Sequence, residues 1–322
     1  MRLRVRPMLP KDVKSCAELI ASHPEERRRY DQLLEQLPTA LVRLLRGGST
    51  TTAVVEDKDR RIPQVVACGV SVFVTDELMR RLKTAPLVWI GPELVRRVST
   101  GDSGVLSPQQ IREVNSTGGL NLVVWVPGIN RASLPEGEDL LSLEIMRSFE
   151  RDHRGYRLKE FINQPVDLHA IRRTLNTGAC FWSAADGRYI DSNSTPIENL
   201  VSNPFIIGAD RKLALRDLGN WLSTLFLYTP PRMYFRPAEQ RMLQAALRGL
   251  TEEELADELG VSLFSVKKKW RVVYERAARI LTDVLDESAI GADGTKRGKE
   301  KKQHLLAYLR EHMEELRPVL PP

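Results

Sequence analysis

The stretch LTEEELADELGVSLFSVKKKW, Leu250–Trp270, limits the possible folds of this chain more than any other segment. Thr251 and Glu254 have the T-x-x-E spacing of a capping box, in which the hydroxyl accepts a bond from an early helical amide and the glutamate reaches back. Gly260 then predicts the end of that helix, because glycine tolerates the positive φ of a tight turn. The stretch therefore predicts two short helices joined at a glycine.

The second helix of this pair is apolar on one side and positively charged on the other. Ser262 is placed to cap it, and apolar residues recur along it at i, i+4, i+7 and i+11. That stripe consists of Val266, Trp270, Val273 and Ala277. Between Leu263 and Leu281 six positive side chains stand against Glu275 alone, which leaves +5. These are the parts of a helix-turn-helix, whose second helix reads the major groove of DNA, although any two packed helices with a lysine-rich solvated face give the same pattern.

The segment FRPAEQRMLQAALRGLTEEELADELGVSLFSVKKKWRVVYERAARIL, residues 235–281, resembles the LuxR-type (GerE-like) helix-turn-helix domain. RPAEQRML corresponds to the TPxExxxL start of that family, and Ser265-Val266-Lys267 corresponds to the TVK of its reader helix. The resemblance implies binding to double-stranded DNA and a homodimer. It places the DNA contacts on Thr251, Ser262, Ser265, Lys267, Lys268, Lys269 and Arg271.

The last helix of the chain is predicted at about Lys299 to Leu316, after a glycine- and lysine-rich spacer. Its apolar residues near helical spacing are Leu305, Leu306, Leu309, Met313 and Leu316. Such a stripe is either a seam for a partner or a second copy, or a face that packs on its own chain.

The first part of the chain alternates between strand and helix patterns. Apolar, β-branched runs predict strands at TTAVVED, QVVACGVSVFV, GLNLVVWVPG, GYRLKEFINQ and ACFWS. Helical spacing predicts helices at about Glu26 to Arg46, Glu138 to Asp152 and Ala209 to Tyr228. The segment Thr84 to Thr117 has a looser pattern and is predicted to be an insertion.

These patterns predict a mixed α/β (α+β) N-terminal domain followed by a small all-α helix-turn-helix domain. The predicted divisions are 1–190 for the α/β domain, 191–231 for a connecting segment and linker helix, 232–287 for the helix-turn-helix, and 288–322 for a flexible spacer and C-terminal amphipathic helix.

The α/β domain resembles the GCN5-related N-acetyltransferase (GNAT) fold. LRVRPMLPKDVKSCAELI resembles the first strand and helix of that family, and GYRLKEFINQ followed by DLHAIRRTLNTGACFW resembles its fifth strand, fourth helix and G-x-x-F turn. The family binds the pyrophosphate of acetyl-CoA on a Q/R-x-x-G-x-G/A loop. This chain has VPGINRASLPEGEDLL there, in which Gly128 and Gly137 are too far apart and Pro135 lacks a donor. The degenerate loop predicts a domain without catalysis and without a cofactor.

No catalytic residue is assigned from the sequence, and the residues that would bind a cofactor stay unknown. Glu144, His153, His169 and Tyr189 could serve as acids or bases, but no pair has diagnostic spacing. The chain contains no P-loop, GxGxxG, HExxH or GxSxG motif. Three cysteines without CxxC spacing predict neither a disulfide framework nor a metal site.

The net charge of +6 permits an anionic partner without requiring one. No apolar run approaches the roughly 18 residues that cross a bilayer, and the N-terminus has no signal-peptide pattern, so we expect a cytoplasmic protein without a membrane partner. Together these features predict a DNA-binding transcriptional regulator, whose N-terminal domain senses a small-molecule signal or mediates pairing. The alternative is an active N-acyltransferase that uses acetyl-CoA with an atypical pyrophosphate loop.

Overall fold

A computed structural model describes residues 2–59, 64–102, 104–129, 138–190, 203–281 and 294–321. The chain divides into two compact units. The first contains Met1–His153 and Arg157–Leu227, and the second contains Arg154–Tyr156 and Tyr228–Pro322. The loop from 130 to 137, on which the sequence prediction against acetyl-CoA depended, lies outside the described residues.

The described strands of the first unit form one mixed sheet in the order β1-β2-β3-β4-β5-β8-β6-β7. The strands are β1 (Leu3–Arg6), β2 (Thr50–Asp57), β3 (Gln64–Val74), β4 (Leu120–Ile129), β5 (Leu158–Asn163), β6 (Cys180–Ser183), β7 (Arg188–Ile190) and β8 (Ile207–Asp210). Neighbouring strands are antiparallel except β4 and β5, which are parallel. A parallel pair needs a crossover, and a helix supplies it here.

Helices cover both faces of the sheet. They are α1 (Val13–Ser22), α2 (Pro24–Tyr30), α3 (Leu37–Gly47), α4 (Asp76–Lys83), α5 (Ile90–Thr100), α6 (Pro108–Thr117), α7 (Glu138–His153), α8 (Leu168–Leu175), α9 (Arg211–Ala214) and α10 (Trp221–Phe226). Helices α1, α2, α3 and α5 share one apolar core with the sheet. On the other face Leu141 of the crossover helix α7 packs on Val55 and Ala67. The mixed α/β prediction is confirmed.

Three local predictions in this unit are wrong. The helix expected from about Glu26 to Arg46 is divided into α2 and α3 by a 3-10 turn, Asp31–Gln36. The segment expected to be an insertion contributes α5 to the core, where Ile90 and Leu94 are fully buried. The helix expected from about Ala209 to Tyr228 is replaced at its start by β8, because pairing with β5 and β6 outweighs the local helical pattern.

The second unit is helical, with α11 (Pro237–Leu247), α12 (Glu252–Leu259), α13 (Leu263–Ile280), α14 (Gly294–Glu311) and a 3-10 turn at Met313–Leu316. Thr251 caps α12 in a complete capping box, and Gly260 ends that helix in the left-handed region at φ 63°. All four residues of the predicted apolar stripe on α13 are buried. The capping box, the glycine turn and the stripe are therefore confirmed.

The last helix packs on its own chain. Leu305, Leu309 and Leu316 belong to the same apolar core as Trp270 of α13. Glu315 connects the turn that follows α14 to the segment before α11. Its carboxylate accepts hydrogen bonds from the backbone N–H of Met233 at 2.8 Å and of Arg232 at 3.0 Å. Of the two alternatives that the sequence left open, the structure supports packing within the chain. None of the helices in the described ranges has both the length and the apolar composition that a bilayer crossing requires.

Candidate functional site

Strands β4 and β5 pair along the first half of β4 and then separate. Their parallel ladder ends at the pair Val124↔Asn163. Strand β4 continues to Ile129, and its antiparallel ladder with β3 follows it as far as Ala67↔Ile129. Over residues 125–129 no described strand pairs with the other edge of β4. Backbone groups on such an edge can bind an extended ligand that carries amides. We call the space along this edge, beside residues 125–129, the β4 cleft.

A β-bulge begins where the cleft begins. On one side of it Val70 pairs with Val126, and on the other Ser71 pairs with Val124, so Trp125 is the extra residue of β4. A bulge bends its strand and increases the local twist. The bulge therefore accounts for the turn of β4 away from β5.

Helix α2 spans the mouth of the β4 cleft. The indole Nε1 of Trp125 donates a hydrogen bond of 2.6 Å to the hydroxyl of Tyr30. One residue earlier on α2, Nη2 of Arg29 donates to the carbonyl oxygen of Pro165 at 3.2 Å, two residues beyond the end of β5. Adjacent residues of α2 thus contact β4 on one side of the opening and the segment that follows β5 on the other.

Glu26 lies one helical turn before these residues and is nearly buried. Its Oε1 is 3.7 Å from Nη1 of Arg29, and the two side chains are 11% and 3% exposed. Burial raises the pKa of Glu26 to about 7, against the opposing effect of the Arg29 charge. A carboxyl group with a pKa near neutrality is suited to accept a proton from a substrate.

Arg29 is buried without full pairing. Burial lowers its pKa, and its Nε has no hydrogen-bond partner in the part of the chain that the structure describes. The guanidinium lies 4.0 Å from the ring centre of Trp89, which gives a cation–π contact. The mouth of the cleft therefore combines one carboxyl group, one guanidinium group and two indole rings.

A cavity of about 140 Å³ lies on the α7 side of the sheet. Val124 and Asn163, the last paired residues of β4 and β5, belong to its lining, so the cavity adjoins the start of the cleft. Phe149 of α7 forms part of its wall, with ring centres 6.2 Å from Phe161 and 6.1 Å from Trp221. The wall is mostly apolar, as ligand cavities usually are.

A buried serine–histidine pair lines the same cavity. The Oγ of Ser71 is 2.7 Å from Nε2 of His153, and Nδ1 of His153 is 2.8 Å from the carbonyl oxygen of Phe149. A carbonyl only accepts, so Nδ1 carries a proton, and in the neutral ring Nε2 accepts the hydroxyl proton of Ser71.

The other residues considered as acids or bases lie elsewhere. Glu144 pairs with Arg147 at 3.1 Å, and His169 is exposed. The Tyr189 hydroxyl donates to Glu160 at 2.6 Å, and burial raises the pKa of Tyr189 well above its usual value. Of the four candidates, only His153 lines the cavity. Sequence reasoning missed Glu26, whose only signal was a carboxylate on a helix that turned out to be short.

The seven residues predicted to contact DNA lie around the start of α12 and the first half of α13. Thr251 and Ser262 use their hydroxyls to cap these two helices. Lys267, Lys268 and Arg271 are exposed, and Nε of Arg271 donates to Glu275 at 2.9 Å. Ser265 and Lys269 are half-buried. The basic face is thus present, while its binding to DNA stays a prediction. No group of three His, Cys, Asp or Glu within the described ranges could hold a metal ion.

No family model matches the chain, and no curated protein matches it. Among solved structures it is similar to an HPA2-related acetyltransferase from Corynebacterium glutamicum, at 10% identity and a TM-score of 0.35, over 65% of this chain and 95% of that one. It is similar to the loading GNATL domain of CurA from Lyngbya majuscula, at 10% identity and a TM-score of 0.35, over 65% and 98%. It is also similar to the NatC complex bound to Gag peptide and CoA, at 11% identity and a TM-score of 0.33, over 65% and 99%.

These likenesses concern the fold alone, and the sheet of the first unit is GNAT-like in that coarse sense only. They give no support to the LuxR-type resemblance of the second unit. The predicted DNA-binding transcriptional regulator is corrected here, because acetyltransferases and a GNAT-like domain are what match. The prediction against an enzyme is corrected for the same reason, and enzymatic activity of this chain is a proposal. The prediction of no cofactor is corrected as well, since one of the matched structures is a complex bound to CoA; binding of CoA by this chain is a proposal. The prediction against acetyl-CoA relied on one loop, and no sequence pattern indicated the β4 cleft.

Proposed function

We propose that the first unit is an acyltransferase that takes an acyl group from acetyl-CoA or a related CoA thioester and transfers it to an amine. The observation that carries this proposal is the β4 cleft, where β4 continues beyond Val124↔Asn163 and none of the described strands pairs with its β5-side edge.

The cleft fits the part of CoA that bears the thiol. That arm is an extended chain with two amide groups, and an extended amide chain is the kind of ligand that an open strand edge binds through backbone hydrogen bonds. Residues 125–129 of β4 would hold it. A chain lying along β4 would bring its end toward the bulge at Trp125.

When bound, acetyl-CoA would supply an acyl group on a thioester, and transfer to an amine breaks the carbon–sulfur bond, forms a carbon–nitrogen bond and releases one proton from the nitrogen. The CoA sulfur leaves as a thiolate and takes up one proton to become the free thiol. Glu26 accepts that proton in this proposal. It lies on α2, at the mouth of the cleft, and with a pKa of about 7 it is largely ionised above neutral pH. Its burial keeps it weakly solvated, which strengthens a carboxylate as a base.

Arg29 and Tyr30 position this base. Tyr30 fixes α2 to β4 through Trp125, and Arg29 fixes it to the segment that follows β5 through Pro165. The fully buried ring of Tyr30 and the nearly buried ring of Trp125 also exclude water from this side of the opening. A fixed base in a dry site loses little energy to reorganisation during the reaction.

The test uses the full chain in two steps. A thermal-shift titration with acetyl-CoA and CoA should raise the melting temperature saturably, while ATP should not; at a hundredfold excess over Kd the stabilisation is about 2.7 kcal/mol. Release of free thiol is then followed in the presence of a panel of primary amines. If no CoA compound binds, the proposal is wrong.

The base is tested by Glu26→Gln, which should lower the turnover rate roughly 10²- to 10⁴-fold while CoA binding persists. Glu25→Gln is the matched control, because Glu25 is the neighbouring residue of α2 and its carboxylate pairs with Arg28 at 2.9 Å. Equal turnover of the two variants would exclude Glu26 as the base without excluding the acyltransferase.

For the second unit, double-stranded DNA as a partner stays a prediction from the exposed lysines of α13, as do a homodimer and a small-molecule signal. None of these is needed for acyl transfer.

A further inference from the structure

We infer that the cavity on the α7 side of the sheet binds the acyl group of the donor, and that the preferred acyl group is an apolar chain or ring of about six heavy atoms rather than acetyl. This inference rests on the proposed acyltransferase function and specifies its donor.

The position of the cavity connects it to the β4 cleft. Val124 and Asn163 form the last pair of the β4–β5 ladder and also line the cavity. The thioester end of a donor lying along the β4 cleft would reach this pair, because the cleft begins where the pair ends. Ser71 of β3 pairs with Val124 of β4 and also lines the cavity. The cavity therefore continues the cleft into the interior of the unit.

The volume of the cavity favours an acyl group larger than acetyl. The cavity measures about 140 Å³, and an apolar protein cavity of roughly 150 Å³ accommodates benzene. An acetyl group has only three heavy atoms and would leave much of this space unfilled. An unfilled apolar space loses dispersion contacts, so a larger acyl group would bind more tightly.

The cavity exists because small residues occupy one part of the sheet. Ala53 of β2 pairs with Gly69 of β3, and both line the cavity, so the sheet carries almost no side-chain volume at this point. Large apolar side chains from the sheet and from the helices packed on it surround these two small residues. They are Val55, Ile145, Met146, Phe149, Phe161 and Trp221. Small residues under a ring of large ones leave a space shaped for an apolar group.

The serine–histidine pair in the cavity wall is already hydrogen-bonded. Ser71 and His153 hydrogen-bond to one another at 2.7 Å, and Nδ1 of His153 is bonded to the carbonyl of Phe149. Polar groups that are already paired can be covered by an apolar chain at a small desolvation cost. The serine–histidine pair is thus compatible with an apolar occupant.

The experiment measures the Kd values of CoA, acetyl-CoA and hexanoyl-CoA for the full chain by calorimetry. Each buried methylene adds about fourfold to affinity, and hexanoyl-CoA has four more methylenes than acetyl-CoA, so it should bind up to about 250-fold more tightly when all four are buried. Ala53→Leu places a larger side chain in the cavity and should bring the ratio of the two Kd values close to 1, with the Kd of CoA unchanged. Ala53→Ser keeps the small volume and should preserve the wild-type ratio.

The outcomes separate the two proposals. Equal affinity of the wild type for acetyl-CoA and hexanoyl-CoA would overturn the acyl-cavity inference and leave the acyltransferase intact. A preference for hexanoyl-CoA that persists in Ala53→Leu would also overturn it, because the chain would then bind elsewhere. No binding of any CoA compound would overturn both. Unchanged CoA binding shows that Ala53→Leu is folded, and Met146→Trp offers a second way to fill the space from α7.

Discussion

The indole of Trp125 donates a 2.6 Å hydrogen bond to the hydroxyl of Tyr30, and both side chains are almost completely buried. Trp125 is the bulged residue of β4, and Tyr30 ends α2. This bond therefore ties the helix that bears Glu26 to the point where the sheet opens. The position of the proposed base depends on it.

Tyr30→Phe should lower the free energy of unfolding by about 1 to 3 kcal/mol, because the indole N–H would lose its acceptor in the core while the ring is retained. Urea unfolding of the full chain, followed by tryptophan fluorescence, measures this loss. Turnover should fall as well, since α2 would no longer be fixed to β4. A variant as stable as the wild type would show that the bond contributes little.

Gly91→Ala tests the space around the same bond. A methyl group at Gly91 would lie 2.1 Å from Oη of Tyr30 and 2.7 Å from Nε1 of Trp125. We expect a loss of at least about 1 to 3 kcal/mol, because two fully packed rings would have to move. Gly118→Ala is the control, since a Cβ there meets nothing within 4 Å and its φ is −101°. Equal unfolding midpoints for the two variants would contradict the packing described here.

Glu26 should make stability fall as pH rises. Its pKa is raised from 4.5 to about 7 in the folded chain, so between these values the folded protein holds a proton that the unfolded chain has lost. Ionising the buried carboxyl then costs stability, roughly 3 kcal/mol in total between about pH 4.5 and pH 7.

Glu26→Gln, which mimics the protonated group, should remove this part of the pH dependence. Unfolding free energies of wild type and variant, measured at pH 5.0 and pH 7.5, give the comparison. Their difference should shift in favour of the variant at the higher pH. A constant difference across the range would show that Glu26 ionises at its ordinary pKa.

The exposed lysines of α13 lead to a separate prediction, that the second unit binds double-stranded DNA. Lys267→Ala and Lys268→Ala should each weaken binding of a random-sequence 20-base-pair duplex and lower the slope of log K against log salt by about 1, if each lysine neutralises a phosphate. Lys301→Ala, an exposed lysine of α14, is the control. Binding that none of the three changes would remove DNA contacts from α13.

Local features of the second unit could be predicted from the sequence. The cap at Thr251, the left-handed Gly260 and the apolar stripe through Trp270 all appear as expected. Each depends on hydrogen bonds or contacts between residues within about one or two helical turns, so a short window of sequence contains the information. What the unit binds is not a local property, and the same helices serve many functions.

The first unit was predicted less completely. Its long strands β2, β3 and β4 were recognisable because their apolar runs are continuous. Strand β8 was not, since its four residues read as the start of a helix and become a strand only between β5 and β6. Gly208 shows why that pairing is tight: a Cβ there would lie 2.1 Å from the carbonyl oxygen of Phe161.

The sequence by itself determined the helix caps, the glycine turn, the long apolar strands and the mixed α/β class, because these follow from residues close together along the chain. Only the tertiary structure decided where β4 leaves β5, and that Glu26 and Arg29 lie at that opening. Arg29 meets Pro165 across 136 positions of sequence. Burial at such long-range contacts raises the pKa of Glu26, and no local pattern encodes it.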